Sequence, residues 1–269
     1  MSRLSFFNEN KCNNIFLNML DLHSSYGTLE PHENFIKKFI NKSNIPVENQ
    51  VLLNHEYLCL KRDTNKFNLI KNSHINEIIN LIENNKNYYN SYNDVHFDKT
   101  LRFFKNGFRN IAILGDYDCD YTPWIESVII NLIPDAKITL IDYQQREYEN
   151  KNITWKHMVD YLKAPNLEKF DMVINYKTIE KTGLGRFGEE ISLDSDLETV
   201  QLMKCLLRKN GILLMTLSLN KYGEHSYVGY NSGRLYSSDR LDIIKKNWNI
   251  LIEEMFNFGS DLIMALEKI

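Results

Sequence analysis

Two hydrophobic patterns divide the chain near residue 105. Before it, apolar residues recur at helical spacing. Ile15, Phe16, Met19 and Leu20 share one face of a predicted helix over 12–22. Phe35, Ile36, Phe39 and Ile40 follow Pro31, and Ile75, Ile78, Ile79 and Ile82 follow Ser73, a candidate N-cap. Phe97, Leu101 and Phe104 suggest a fourth helix, stopped by Gly107. After it, short apolar runs alternate with amphipathic segments. Strands are expected at 111–116, 137–142, 152–158, 170–176, 211–219, 247–256 and 261–268, with helices at 122–133, 196–209 and 238–246. Strands alternating with helices predict a parallel sheet covered on both faces. Too few residues separate Phe256 from Asp261 to hold a helix, so the last two strands form a hairpin and the final one runs antiparallel.

Seven strands ending in a hairpin resemble the class I S-adenosylmethionine-dependent methyltransferase fold. A nicotinamide-binding Rossmann domain shares the opening but ends in six parallel strands. The expected architecture is therefore α/β: a Rossmann-like, seven-stranded methyltransferase-type sheet over 106–269, with a helical N-terminal extension over 1–105. That extension is expected to cover the carboxyl edge of the sheet.

Composition narrows the setting. The net charge of −3 is spread over both halves, which leaves no basic footprint for nucleic acid. No apolar run approaches the length of a spanning helix, and the N-terminus lacks an apolar signal region, so no membrane insertion is expected. Cys12, Cys59, Cys119 and Cys205 lie far apart without a C-x-x-C pair, which argues against a disulfide framework or a zinc cluster. These features predict a reduced, cytoplasmic protein without a metal.

In open α/β sheets ligands bind beyond the carboxyl ends of the strands, near the switch in strand order. That rule selects Gly115 and Asp116 after the first strand, Asp142 and Tyr143 after the second, and Asn175 at the end of the fourth. Gly115 leaves room for a cofactor backbone. The residues after it, Asp116 to Asp120, carry no further glycine, so the dinucleotide fingerprint is absent. An acidic loop repels a pyrophosphate but suits a sulfonium and an amino group. Read alone, it is equally a solvated acidic turn. Asp142 suits a ribose diol, and Tyr143 an adenine border. After the fourth strand, Gly183, Gly185 and Gly188 surround Arg186, a side chain able to fork onto a carboxylate or phosphate. Glu180 precedes them, where a methyl acceptor would lie. His157 reads as structural, and His225 is an alternative base. No nucleophile elbow or P-loop is present.

The stretch beginning at Glu180, with Gly183-Leu-Gly-Arg186, resembles the E-H-x-G-L-G-R-Y-G-D signature of the family called domain of unknown function 268. Thr122-Pro-Trp-Ile-Glu126, Leu206 to Leu214 and Tyr230 to Tyr236 resemble three further stretches of it. The resemblance covers roughly 108–256. It implies a methyltransferase-like protein with S-adenosylmethionine as cofactor and a small-molecule or glycan acceptor, in some members linked to surface polysaccharide. It carries Glu180, Lys181 and Arg186 over as catalytic candidates, and Trp124, Glu126, Arg234 and Tyr236 as acceptor-side candidates. Lys181 and Gly233 stand where the family has histidines. A lysine is a base only with a lowered pKa, so Glu180 takes that role in this reading. Two other readings stay open: a non-catalytic binding or scaffold protein of this fold, and a nucleotide- or nucleotide-sugar-binding enzyme.

Overall fold

The computed structural model describes Cys12, Ile15, Ser192, Gly223 and residues 68–88, 95–115, 122–142, 145–184, 194–221, 225–229 and 233–269. The expected helix after Pro31 lies outside the described residues, as do Asp116, Asp118, Asp120, Tyr143, Gly185, Arg186 and Gly188.

A seven-stranded sheet organises the rest. Its strands are β2 (Asn110–Leu114), β3 (Lys137–Asp142), β5 (Ile153–His157), β6 (Phe170–Tyr176), β7 (Leu207–Ser218), β10 (Trp248–Phe256) and β11 (Asp261–Lys268). They lie in the order β10-β11-β7-β6-β2-β3-β5. β2, β3, β5, β6 and β7 pair in parallel, while β11 runs antiparallel to both β7 and β10. In terms of these seven strands the order is 3-2-1-4-5-7-6 with the seventh reversed, which is the methyltransferase-type arrangement expected from the sequence. The strand order switches at β2, between β3 and β6.

The central strands of the sheet are buried on both faces, which is why they read as continuous apolar runs; the edge strands β5 and β10 are more exposed. Side chains alternate along each strand. Ile111 and Ile113 of β2 join one core with Met172, Ile174 and Leu214, and Ala112 and Leu114 join the other with Val173, Leu213 and Met215. The first core is covered by α1 (Asn72–Glu83), α2 (Val95–Phe103) and α3 (Trp124–Leu132). The second is covered by α4 (Met158–Lys163), α5 (Ser195–Leu206) and α6 (Ser238–Lys245).

Five sequence expectations are corrected, two of them helix ends taken together. First, α1 and α2 pack beside α3 on a face of the sheet rather than over its carboxyl edge. Second, the N-terminal region is not wholly helical: β1 (Asn68–Ile70) pairs in parallel with β4 (Arg146–Tyr148). Three residues carry no readable period. Third, Ser73 is not the cap of α1, because the helix starts at Asn72, whose N–H donates to the Glu149 carboxylate at 3.0 Å. The helix expected to reach 209 also ends at Leu206, where the chain passes straight into β7. Fourth, Cys12 and Cys205 are joined in a disulfide across 193 positions of sequence. Cys12 is helical and buried, and Ile15 packs against the same core. Spacing alone could not reveal that pairing.

A short antiparallel ribbon, β8 (Tyr227–Gly229) with β9 (Gly233–Leu235), follows β7 and returns the chain to the carboxyl edge.

Candidate functional site

Gly115, Asn175 and Asp142 stand at the carboxyl ends of the strands around the switch point. Gly115 follows β2 with φ +69°, and its N–H donates to the Ile141 carbonyl at 2.9 Å. A Cβ there would meet Thr178 Cγ2 at 2.3 Å, so both backbone conformation and space demand glycine. Thr178, in the turn after β6, is what crowds this position. Asn175 is fully buried. Its amide donates to the Leu114 carbonyl at 2.9 Å, and its Oδ1 accepts the Ile179 N–H at 3.2 Å. Expected to contact a cofactor, Asn175 instead ties the end of β2 to the turn after β6. Asp142 ends β3 beside His157 of β5 and is buried.

Beyond β6 a single helical turn, Ile179–Lys181, carries Glu180. Its Oε2 accepts the Ser218 N–H at 3.0 Å and its Oε1 lies 3.3 Å from the Ser218 hydroxyl. Burial raises the Glu180 carboxyl above its ordinary value, against the opposing pull of the Ser218 N–H and of Lys181 and Lys177. The Lys177 ammonium is paired with Asp261 at 2.7 Å. Lys181 is half-buried beside Glu180.

The segment that begins after Glu180 is closed at its base. Ser192 N–H donates to the Gly183 carbonyl at 2.9 Å, and the Ser195 hydroxyl to the Thr182 carbonyl at 2.6 Å. Gly183 has φ +66°, and a Cβ there would sit 2.0 Å from the Ser195 hydroxyl. Arg234 reaches across from β9. It donates to the Thr182 carbonyl at 2.6 Å, the Ser192 carbonyl at 3.0 Å and the Ser195 hydroxyl at 3.3 Å. Asp196 lies behind it, 3.6 Å from Arg234 Nε. The Asp196 carboxylate also accepts hydrogen bonds from Tyr236 at 3.0 Å and from Arg240, whose Nε lies at 2.7 Å. Complete burial alone would raise the Asp196 carboxyl; the two guanidiniums and the phenol reverse that and hold it below the ordinary carboxylate range. The same burial, followed by the Asp196 charge, lifts the Tyr236 phenol well above its usual value.

Such contacts redirect four sequence candidates. Arg234 and Tyr236, expected to meet an acceptor, are 1% and 0% exposed and hydrogen-bond to the protein itself. They clasp the base of the glycine-rich segment. Trp124 and Glu126 behave alike on α3. Trp124 is fully buried, edge-on to Tyr176 at 4.8 Å and Phe97 at 5.4 Å. Glu126 accepts the Tyr148 hydroxyl at 2.6 Å, with Arg146 at 3.9 Å. Burial, then the Glu126 charge, raises the Tyr148 phenol well above its usual value.

The structure therefore draws together Gly115, Asn175 and Thr178 at one point, and Glu180, Arg234, Tyr236 and Asp196 at a second. It keeps Trp124 and Glu126 apart with Arg146 and Tyr148. Sequence reading missed Asp196, Arg240, Arg146 and Tyr148, since nothing local distinguishes a buried arginine or aspartate from a solvated one. His225 is exposed, 3.6 Å from Asp239. No cluster of metal-ligating side chains occurs among the described residues.

A family model described as "Caenorhabditis protein of unknown function, DUF268" matches residues 113–265. The chain belongs to this family. The match runs from β2 into β11, so it takes in the whole switch point and the clasp. Among curated proteins none matches this DUF268 chain. Among solved structures it is similar to the Burkholderia thailandensis 1,6-didemethyltoxoflavin-N1-methyltransferase with bound S-adenosylhomocysteine (9% identity, 72% of this chain and 86% of that one, TM-score 0.45). It is also similar to N-methyltransferase NodS from Bradyrhizobium japonicum WM9 in complex with S-adenosyl-l-homocysteine (12%, 72% and 98%, TM-score 0.42). A third is a SAM dependent methyltransferase from Aquifex aeolicus (13%, 64% and 89%, TM-score 0.43). For the DUF268 chain itself, the strand order fixes the fold. No helix among the described residues is long and apolar enough to cross a membrane.

Proposed function

We propose that this chain transfers a methyl group from S-adenosylmethionine to an oxygen of a small-molecule or glycan acceptor. The observation that carries the reading is the switch point itself. The tight turn at Gly115 and the buried Asp142 stand at the ends of β2 and β3, which pair in parallel in a sheet of methyltransferase order. The donor set suits an adenosyl ligand. Asp142 supplies an acceptor-only carboxylate for the ribose hydroxyls. Asp116 and Tyr143 follow the same two strands in sequence and would complete the hold. When bound, S-adenosylmethionine supplies an electrophilic methyl on a sulfonium.

The chain's own residues then have three tasks. Asn175 and Thr178 hold the turn after β2 in shape. Glu180, brought by burial toward the working pH, accepts the proton of an acceptor hydroxyl, with Lys181 beside it. The clasp of Asp196, Arg234, Tyr236 and Arg240 fixes both ends of the segment carrying Arg186, which would meet the acceptor. Alignment supplies much of the rate in such a transfer. A role in surface-polysaccharide modification fits a glycan acceptor. The Cys12–Cys205 disulfide speaks against the reduced, cytoplasmic setting expected from the sequence, because such crosslinks persist in oxidising compartments.

Calorimetry and thermal shift with S-adenosylmethionine, S-adenosylhomocysteine and NAD test the proposal. At 100 times its dissociation constant a ligand stabilises the fold by about 2.7 kcal/mol. The adenosyl ligands are expected to stabilise the wild type and not Asp142→Ala. Stabilisation by NAD alone would overturn the assignment. One observation favours a second reading, a non-catalytic protein of this fold: Trp124, Glu126, Arg234 and Tyr236 are all buried with protein partners. That reading predicts ligand binding without turnover.

A further inference from the structure

A cavity of about 510 Å³ opens beyond the carboxyl ends of β7 and β10, on the side of β6 away from Gly115. Its polar side includes Asn220, Lys221 and Ser238, and its apolar side Leu241, Met255 and Phe258. Glu180 stands next to it: the carboxylate is bonded to Ser218, the residue before the cavity's Leu219.

Two features of the lining call for an occupant. The first is charge. Lys221 is exposed, and no carboxylate among the described residues pairs with it. Of the two arginines that the sequence pointed to for an anion, Arg234 is engaged by the clasp and Arg186 lies outside the described residues; the neighbouring Lys177 is taken by Asp261. The second is the turn between β10 and β11. Asn257, Phe258 and Gly259 have φ of 49°, 55° and 78°, three left-handed residues in succession, of which only the last is a glycine. A bulky side chain is strained there and persists only when its surroundings enforce it. Here they do: the Ser260 N–H and hydroxyl both donate to the Asn257 carbonyl, at 3.1 and 2.7 Å. The Asn257 amide donates to Asp261, which Lys177 holds in turn. The result is a fixed turn that displays the Phe258 ring at full exposure, with Met255 67% exposed near it. No ring among the described residues stacks on Phe258. An apolar ring at the lip of a cavity that is also lined by an ammonium with no carboxylate partner among the described residues is complementary to one kind of ligand.

We infer that this cavity binds a small organic anion: an aromatic or alicyclic body against Phe258 and Met255, with its carboxylate, sulfate or phosphate on Lys221. That this anion is the methyl acceptor rests on the proposed methyl transfer, in which Glu180 beside the cavity takes the proton. The binding site itself rests only on the lining.

Fluorescence titration of the full chain with 1-anilinonaphthalene-8-sulfonate, and with its uncharged relative N-phenyl-1-naphthylamine, tests the site. Saturable binding of one sulfonate per chain is expected. Lys221→Gln should weaken the sulfonate at least tenfold while leaving the uncharged ring within twofold. Phe258→Ser should weaken both, with thermal melts confirming that each variant folds. Unsaturable binding, or sulfonate affinity unchanged in both variants, would overturn the site. S-adenosylhomocysteine affinity, measured on the same proteins, separates the two claims. Lys221-dependent sulfonate binding supports the site whether or not S-adenosylhomocysteine binds. Failure of S-adenosylhomocysteine alone overturns methyl transfer and not the cavity.

Discussion

Glu180 and Asp196 are both buried carboxylates at the carboxyl edge of one sheet, yet their environments push them in opposite directions. Asp196 is met by two guanidiniums and a phenol, so the charge that burial penalises is returned in full. Glu180 has one backbone N–H and one hydroxyl from Ser218, with lysines acting from further off. Burial therefore dominates at Glu180 and loses at Asp196. A carboxylate held down by dedicated cations is a piece of architecture. One left raised, at a strand end where ligands bind, is a candidate for proton transfer.

Asp196→Asn is the most damaging test of that contrast. It leaves Arg234 and Arg240 charged in the interior, and removing one member of a buried pair costs about 3–5 kcal/mol. Denaturant unfolding at pH 7 measures it. Because the folded-state value of Asp196 is depressed, its contribution is present above the unfolded value near 4 and lost as pH falls through the lower folded value. The gap between wild type and variant should therefore close in acid. A loss at pH 7 too small to measure would show that the clasp is not a structural unit.

Tyr236→Phe comes next. It removes one hydrogen bond to an ionised partner and leaves the guanidiniums in place, for about 1.5–3 kcal/mol. A double-mutant cycle with Asp196→Asn should show strong coupling, since the two share one network.

Glu180→Gln has the smallest expected effect on stability, and the opposite sign. A raised carboxylate stabilises the fold fully below its unfolded value and loses that contribution as pH rises through the folded value. The wild type should lose stability across that window while the glutamine variant stays flat, ending at least as stable at neutral pH. If Glu180 is the base, the same variant loses roughly 10²–10⁴-fold in turnover. A variant as destabilised as Asp196→Asn would erase the contrast.

The centre of the sheet was legible because both of its faces are covered there, which writes each central strand as a bounded apolar run. Even the reversed last strand follows from the short gap after Phe256. β1 and β4 were not legible, as a three-residue strand has no period to read. At the site, Gly115 and Asp142 follow from the rule that ligands bind beyond strand ends. Arg234, Tyr236, Trp124 and Glu126 were picked out by the family resemblance, but their burial is a property of the assembled fold. An arginine buried by a loop some 50 positions away looks, in one dimension, like any other. The Cys12–Cys205 pair shows the same limit at its longest range.

That crosslink has a mechanical consequence. A tether pulling on the two ends of the chain cannot extend anything between Cys12 and Cys205 while the bond lasts. At about 3.4 Å per residue, the 193 positions it spans represent roughly 650 Å of hidden length. Of the seven strands in the sheet, β7, β10 and β11 lie beyond Cys205 and can be stretched out; β2, β3, β5 and β6 lie inside the closed ring. Under load the oxidised protein would shed its hairpin edge first and keep its switch point inside a covalent loop.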